Sequence, residues 1–274
     1  MSIRMVAVDL DGTLFRNDKT VSDHSVETVR RALQNGIQVV FCTGRYLSEC
    51  HYVLKRLPEV RYAVTCTGAL VQDLHENTIL HRFSLTADEA RRIYDRVRPF
   101  ESIVSFMAGG VVWNDSAAVE RNRDCFTPAL WELYHTEHVL VDDLDKLMAL
   151  WQEPVEKFYI AYPDRENQRG AQEAVRDLPF FASGAGYVDM EVMSMEADKG
   201  KSLGLLAEHL GIRREEVAAI GDSENDAAAL RYAGLSIAMG NGAEALKNMA
   251  DMVAPSNEDD GVAWILEQIM EGKL

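Results

Sequence analysis

The sequence predicts an α/β fold: a doubly wound parallel sheet with an α+β segment inserted into it. Three observations carry that prediction. Short apolar runs alternate with helix-patterned stretches in the first and last thirds, each of the leading runs closes on a polar cluster, and the middle third shows neither feature. In open parallel sheets ligands bind outside the carboxyl ends of the strands, which is where those clusters fall.

Residues 5–9, Met5-Val6-Ala7-Val8-Asp9, read as a buried strand running into Leu10-Asp11-Gly12-Thr13. Asp9 and Asp11 stand two residues apart, the spacing that turns two strand side chains to one side. Clustered carboxylates at a strand end are costly unless a cation or a phosphoryl group is bound there. Residues 23–35 carry Val26, Val29 and Leu33 near helical spacing, with Ser22 as N-cap and Gly36 as stop. A second β-rich run over 37–42 ends at Thr43-Gly44-Arg45, and a helical stretch follows to about Leu57, closed by Pro58. A third strand over 62–66 ends in Thr67-Gly68.

The middle reads differently. Helices are expected over 86–98 and 167–177, with strand-like pieces at Gly110-Val111-Val112-Trp113 and Phe158-Tyr159-Ile160-Ala161-Tyr162. Trp113, Trp131 and Trp151 lie here, and aromatic residues in a small mixed domain belong more often to its core than to a ligand site. Alternation then resumes. A helix is expected over 199–210, with Leu203, Leu206 and Leu210 on one side, and a strand over 217–221 runs into Asp222-Ser223-Glu224-Asn225-Asp226 and an Ala-rich helix. Residues 235–239 and 252–254 are further short strands, and Glu258-Asp259-Asp260 reads as a solvated loop and helix start. The expected division is therefore a core built from 1–82 and 191–274, with 83–190 as an inserted α+β unit.

Bulk properties narrow the function. A chain of 274 residues, 47% hydrophobic and 26% charged, suits a globular protein with a substantial core. The formal net charge of -16 argues against nucleic-acid binding, which needs clustered Lys and Arg. Cys42, Cys50, Cys66 and Cys125 form no CxxC pair or zinc-ligand spacing and read as unpaired thiols. The histidines at 24, 51, 75, 81, 135, 138 and 209 show no supported metal-ligand spacing. No basic-then-apolar leader precedes the first strand and no run approaches membrane-spanning length, so a cytoplasmic protein with no membrane partner is expected.

The polar clusters make chemical sense as a set. If Asp9, Asp11, Asp222 and Asp226 converge, they bring four negative charges; Lys199 and Arg45 return two, and one divalent cation cancels the rest. Without that cation four close carboxylates could not all stay ionised. Oxygen-only ligands with room for water favour Mg²⁺ over zinc. Phosphoryl transfer needs what this set offers: a nucleophile, a metal, and cations facing the equatorial oxygens.

In these motifs the chain resembles the haloacid-dehalogenase superfamily, specifically its Cof-type phosphatases with a C2-type cap. Asp9-Leu10-Asp11-Gly12-Thr13 matches the first motif, Thr43-Gly44-Arg45 the second, Lys199-Gly200 the third, and Gly221 through Asp226 the fourth. Met239-Gly240-Asn241 and Ser256-Asn257-Glu258-Asp259-Asp260-Gly261 are also similar to the Cof-type C-terminal pattern. The resemblance implies a Mg²⁺-dependent phosphatase acting on a small phosphorylated metabolite, as monomer or homodimer. Asp9 would be the nucleophile, forming an aspartyl-phosphate, and Asp11 the acid/base, its backbone carbonyl also meeting Mg²⁺. Asp9, Asp11 and Asp222 would hold the metal, with Asp226 acting behind them on water or Lys199. Lys199 would neutralise the transition state. Leu10, Thr43, Gly44, Arg45 and Asn225 would meet the phosphate or substrate. The inserted unit would serve as a lid that sets specificity.

Asp11 favours phosphate esters over halides, because a halide leaves without a proton. Two other readings stay open: a phosphomutase, in which a sugar hydroxyl replaces water, and a catalytically idle binding protein on the same fold. Two departures stand out. The family commonly shows Asn-Gly-Ala after the third strand, where this chain has Thr67-Gly68-Ala69, and Asn241-Gly242 replaces the usual Asn-Ala.

Overall fold

In the strand Met5–Val8 every residue is buried, and successive side chains enter different cores. Val6 and Val8 join one apolar cluster, Met5 and Ala7 another, so the strand is covered on both faces. The computed structural model that shows this describes residues 2–183 and 188–274.

In chain order the first elements are β1 (Met5–Val8), α1 (Asp23–Gln34), β2 (Gln38–Cys42), α2 (His51–Arg56), β3 (Tyr62–Thr65), β4 (Leu70–Asp73) and β5 (Thr78–Arg82). They are followed by α3 (Ala87–Val97), β6 (Ile103–Ala108), β7 (Val111–Asp115), α4 (Ser116–Arg121), α5 (Pro128–Thr136) and β8 (His138–Val141). Next come α6 (Leu144–Leu150), β9 (Lys157–Ala161), α7 (Arg165–Val175), β10 (Phe181–Ser183) and β11 (Asp189–Met193). The last third holds α8 (Lys199–His209), β12 (Val217–Gly221), α9 (Ala227–Tyr232), β13 (Leu235–Ala238), α10 (Glu244–Met249), β14 (Met252–Val253) and α11 (Gly261–Met270).

The chain forms two compact units. The first holds the residues up to Arg45, with Cys50–Arg82 and Ala197–Leu274; the second holds Tyr46–Glu49 and Phe83–Glu196. The second unit thus reaches Glu196, beyond residue 190, and takes in a short piece of the first third.

The first unit is an eight-stranded sheet ordered β14-β13-β12-β1-β2-β3-β4-β5. The six strands from β14 to β3 are parallel, while β4 and β5 run antiparallel as a hairpin the apolar pattern did not reveal. One face is covered by α1, α2 and α11 through Val26, Val53 and Leu266; the other by α8, α9 and α10 through Leu203, Leu230 and Leu246. Helix α1 starts where the Ser22 side chain accepts a hydrogen bond from the Ser25 amide, and Gly36 at φ +81° turns the chain after it. From β1 the chain steps outward to β2 and β3 on one side, and from β12 to β13 and β14 on the other. The strand order therefore switches beside β1, and the carboxyl ends of β1 and β12 adjoin.

The second unit is a six-stranded sheet ordered β10-β11-β9-β6-β7-β8, antiparallel except for β7 with β8. Phe106, Phe158, Ile160 and Val192 face α3, α6 and α7 in one core, joined by Trp113 and Trp151. Trp131 packs in a smaller cluster with Ile103 and Tyr134. The opposite register carries Ser105, Asn114, Lys157, Tyr159 and Glu191, and Lys157 pairs with Glu191 at 2.6 Å in buried surroundings.

Helix α8 packs closely on α9, most tightly at Gly200. A Cβ at Gly200 would lie 2.2 Å from the Ala228 carbonyl oxygen, whereas a Cβ at Gly36 would meet nothing within 4 Å. Gly200→Ala should lower unfolding stability by about 1–3 kcal/mol through overpacking. Gly36→Ala, which faces only left-handed backbone strain, should cost about 1–2 kcal/mol. Urea denaturation of both variants measures this, with Gly200→Ala also expected to shift the Lys199 side chain; equal stability of Gly200→Ala and the parent would contradict it.

Candidate active site

The chain leaves β1 at Asp9, which is not part of the strand. Its amide still donates to the Ile220 carbonyl of β12 at 3.1 Å, but the next residues coil into a five-residue turn. Within that turn Leu14 N–H donates to Asp9 O at 3.2 Å and Phe15 N–H to Leu10 O at 2.8 Å. Gly12 sits at φ +74°, and a Cβ there would lie 2.4 Å from Asp222 Oδ2. Only glycine lets the backbone pass this close to a carboxylate. Strand alternation therefore ends at Val8, and after the turn Asp9 and Asp11 have different partners.

Asp9 faces Lys199. The ammonium of Lys199 is fully buried and donates to Asp9 Oδ1 at 2.8 Å and Asp226 Oδ1 at 2.6 Å, with Asn225 Oδ1 at 3.4 Å. Asp198 caps α8 by accepting from Lys201 N–H, which fixes where Lys199 leaves the helix. Both oxygens of Asp226 are engaged, Oδ1 by Lys199 and Oδ2 by the amides of Asp222 and Ser223. Burial would lower the Lys199 pKa, but the Asp226 and Asp9 carboxylates outweigh it and hold the group charged.

The Asp11 carboxylate, whose charge still acts on Asp222, lies outside the group formed by Asp9, Asp222 and Asp226 and is held by two cations. Arg45 grips it as a fork, Nε to Oδ2 at 2.6 Å and Nη2 to Oδ1 at 2.9 Å, and Lys19 Nζ adds a contact to Oδ1 at 2.8 Å. Burial works to raise the Asp11 pKa, yet Arg45 and then Lys19 prevail and bring it down to about 2. Arg45, read as a phosphate contact, here turns its fork to Asp11 and lies 5.3 Å from the Phe15 ring centroid.

The remaining predicted residues fall as follows. Thr43 is buried, and its Oγ1 accepts from the Arg45 amide at 3.1 Å, with Gly44 between them. Asn225 is exposed, its oxygen held by Ser223 Oγ at 2.9 Å. The Leu10 side chain is fully buried in the apolar core, so only its main chain is left to meet a ligand. Thr67 stands at φ +55°, a region where Asn is comfortable and a β-branched residue is strained. Burial pushes the Cys42 thiol up to about 12, and Cys42, Cys50 and Cys66 are all buried and in no disulfide; the side chain of Cys125 lies outside the described residues. His138 is buried between Asn114 Oδ1 at 2.9 Å and Glu49 Oε1 at 3.2 Å and joins no ligand set.

Sequence reasoning missed Lys19, Thr13 and Asn241. Thr13 Oγ1 donates to Asp222 Oδ1 at 3.4 Å, and Asn241 Nδ2 to the Gly12 carbonyl at 2.7 Å. Lys19 carried no signal, since a lone lysine in a polar stretch is ordinary. Asn241 did carry one, in the Met-Gly-Asn motif.

Among the described residues one group could hold a metal ion: carboxylate oxygens of Asp9, Asp222 and Asp226 lie within 4.8 Å of one another. Three carboxylates against one ammonium leave two negative charges. The excess is visible in the pKa directions: burial and then Asp226 push Asp9 well up, and the same two causes raise Asp222 to about 6. A hard divalent cation cancels that excess, and oxygen donors suit it. Because Asp226 has both oxygens taken by donors, Asp9 and Asp222 are the better placed ligands.

A family model described as haloacid dehalogenase-like hydrolase matches residues 6–266. The chain belongs to that family. It is 27% identical to the 5-amino-6-(5-phospho-D-ribitylamino)uracil phosphatase YcsE of Bacillus subtilis, over 97% of this chain and 97% of the relative. It is 26% identical to the pyridoxal phosphate phosphatase YbhA of Escherichia coli, over 97% and 98%. A solved haloacid dehalogenase-like hydrolase from Bacteroides thetaiotaomicron shares the fold at a TM-score of 0.84 and 24% identity, over 97% of this chain and 99% of that one. The chain is thus a phosphatase of the haloacid-dehalogenase superfamily, a phosphoric monoester hydrolase. Among the described residues no helix is long and apolar enough to cross a membrane.

The Asp11 fork yields a titration that can be measured. Arg45→Ala removes the larger of the two lowering influences, so the Asp11 pKa should rise from about 2 toward the ordinary carboxylate range. Lys19→Met should raise it less. A depressed carboxylate adds stability that is present above its unfolded pKa and lost as pH falls toward the folded one. The parent should therefore lose this contribution between about pH 4 and pH 2, and Arg45→Ala should have less to lose. Carbon-detected NMR titration of the carboxyl groups reads both; an Asp11 pKa unmoved in Arg45→Ala would contradict the assignment.

Proposed function

We propose that this phosphatase hydrolyses the phosphate ester of a small metabolite in a Mg²⁺-dependent reaction that passes through a phosphoryl group on Asp9. The observation that carries the reading is Lys199, buried and donating to both Asp9 at 2.8 Å and Asp226 at 2.6 Å. That contact favours the ionised form of Asp9 and opposes the upward push that burial and then Asp226 exert on it, and the divalent cation proposed below would complete the neutralisation. Mg²⁺ held by Asp9 and Asp222, with Asp11 contributing its main-chain carbonyl, would supply charge neutralisation for the transferring phosphoryl group.

In the proposed first step an Asp9 oxygen forms a bond to phosphorus while the bond from phosphorus to the alcohol oxygen breaks. Asp11 delivers the proton that the departing alkoxide needs. Its ion pairs with Arg45 and Lys19 favour the ionised form, so a bound phosphate dianion also acts on Asp11: the dianion competes for the Arg45 guanidinium, raises the Asp11 pKa and lets Asp11 take up a proton from solvent before the ester bond breaks. In the second step the now ionised Asp11 takes a proton from the water that attacks phosphorus, and Asp9 is released. Thr43 retains its hydroxyl proton for a phosphoryl oxygen because its oxygen is the acceptor from Arg45 N–H. Asn225, with its oxygen held by Ser223 and Lys199, has its amide hydrogens left for the same role. Asp226 positions Lys199, and Leu10 and Gly44 meet the phosphoryl group through their main chain.

The substrate class is a sugar phosphate, a nucleotide or a phosphorylated cofactor. Support comes from relatives named for a phosphoribitylaminouracil and for pyridoxal phosphate. The inserted segment, 83–190, is proposed as the element that sets specificity, and the protein is proposed to act as a monomer or homodimer in the cytoplasm.

Asp9→Asn should reduce phosphate release from a panel of such esters by at least about 10³-fold, with an unchanged circular-dichroism spectrum. Stripping divalent cations with EDTA should silence the parent, and Mg²⁺ should restore it. Mg²⁺-dependent phosphate release that survives in Asp9→Asn would sink the proposal, and an isomeric phosphate ester in place of free phosphate would redirect it to mutase chemistry.

A further inference from the structure

Two sequence motifs have received no role in the chemistry: Met239-Gly240-Asn241 and the segment Ser256 to Gly261. The geometry points to Asn241 and Asn257 as positioning residues that fix the Asp9–Gly12 turn against Asp222. The inference rests on the proposed function for what the turn does, but not for how it is held.

The two side chains form a relay. Asn241 Nδ2 donates to Gly12 O at 2.7 Å, and Asn241 Oδ1 accepts from the Asn257 amide at 2.9 Å. Both ends of the Asn241 amide are therefore engaged, which fixes its orientation. Asn257 is 3% exposed, and its Nδ2 donates to Phe15 O at 2.9 Å and Asn17 Oδ1 at 3.3 Å. The pair thus holds the turn at Gly12 and again at Phe15, where the turn closes by donating to the Leu10 carbonyl.

Asn241 is itself anchored to the carboxyl end of β12. Met239 N–H donates to Gly221 O at 2.9 Å, and Ala243 N–H to Asp222 O at 2.8 Å. One short loop therefore grips the Asp222 peptide with its main chain and the Gly12 peptide with a side chain. It sets the gap between two segments whose spacing is already tight, since a Cβ on Gly12 would lie 2.4 Å from Asp222 Oδ2. The same C-terminal segment reaches the other side of the turn. Glu258 Oε1 accepts from the Asn17 amide at 2.7 Å and Asp260 pairs with Arg16 at 3.0 Å, which clamps the reverse turn that presents Lys19 to Asp11. A role limited to tying α11 to the sheet would not require contacts that end on the main-chain oxygens of this turn.

Misplacing a reacting group by a fraction of an ångström costs rate without costing binding. With p-nitrophenyl phosphate and saturating Mg²⁺, Asn241→Ala should lower kcat by about 10- to 100-fold with KM within about twofold and the melting temperature nearly unchanged. Asn241→Asp, which cannot donate to Gly12 O and adds charge beside Asp222, should fall at least as far. Asn257→Ala should also lower kcat, and the double variant should fall short of the product of the two single effects, because part of Asn257's influence runs through Asn241. If Asn241→Ala does not fold, Asn241→Ser, too short to reach Gly12 O, carries the same expectation. Asn241→Ala with kcat within twofold of the parent, or single effects that simply multiply, would overturn the inference. Hydrogen exchange separates it from the proposed function: the Leu14 and Phe15 amides should exchange faster in Asn241→Ala even if the parent shows no Asp9-dependent phosphate release. Unchanged exchange at those amides would overturn the positioning role on its own.

Discussion

A buried ammonium that touches two carboxylates is the constraint around which the first unit is arranged. Lys199 donates to Asp9 and Asp226 with no exposure to solvent, so none of the three charges can draw on water for compensation. Removing Lys199 would leave two buried carboxylates facing each other uncompensated, which is far more costly than the contacts are stabilising, whereas removing either carboxylate leaves a neutral ion pair. The three residues come from the end of β1, the start of α8 and the turn after β12, which lie far apart in the sequence. Their meeting requires β12 to dock beside β1 and α8 to lie close to α9, and Gly200 makes that second approach sterically feasible.

The charges in the site fall into two groups. Asp9, Asp226 and Lys199, all buried, and half-buried Asp222 form one set with an excess of two negative charges, while Asp11, Arg45 and Lys19 form a more accessible set with an excess of one positive charge. The first set asks for a divalent cation. The second attracts an anion and has, in Asp11, a carboxylate that stays ionised until something else occupies its cations. In the proposed reaction an anionic ester would meet both demands at once, its phosphoryl group against the cation-binding set and its charge competing for Arg45. The opposed pKa directions of Asp9 and Asp11 have different causes: burial and then Asp226 push Asp9 up, whereas Arg45 and then Lys19 overcome burial and bring Asp11 down, and the local sequence, where the two look equivalent, records neither.

The parts of the fold legible in the sequence were those with one dominant local cause. Ser22 and Gly36 bracket α1, the apolar runs before Asp9, Thr43 and Asp222 become β1, β2 and β12, and the middle third is a mixed α+β segment. The β4–β5 hairpin was not legible, since its strands are short and β5 is half exposed. Thr67 is a similar case. Its left-handed backbone is imposed by the turn after β3, which packs so closely on the start of α8 that a Cβ on Gly68 would lie 2.3 Å from the Asp198 carbonyl carbon.

The sequence by itself determined that Asp9, Asp11, Lys199 and Asp222 lie at strand ends or a helix start, because apolar runs must stop where polar groups begin. It determined too that their charges need a cation. Only the tertiary structure decided which carboxylate faces which cation. The turn from Leu10 to Leu14 breaks the two-residue alternation, sends Asp11 to Arg45 and Lys19, and leaves Asp9 with Lys199. It also gave Asn241 and Asn257 their partners, across more than two hundred residues of chain. Side-chain direction after a strand depends on backbone dihedrals set by distant packing and hydrogen bonds, and a one-dimensional pattern holds no record of those.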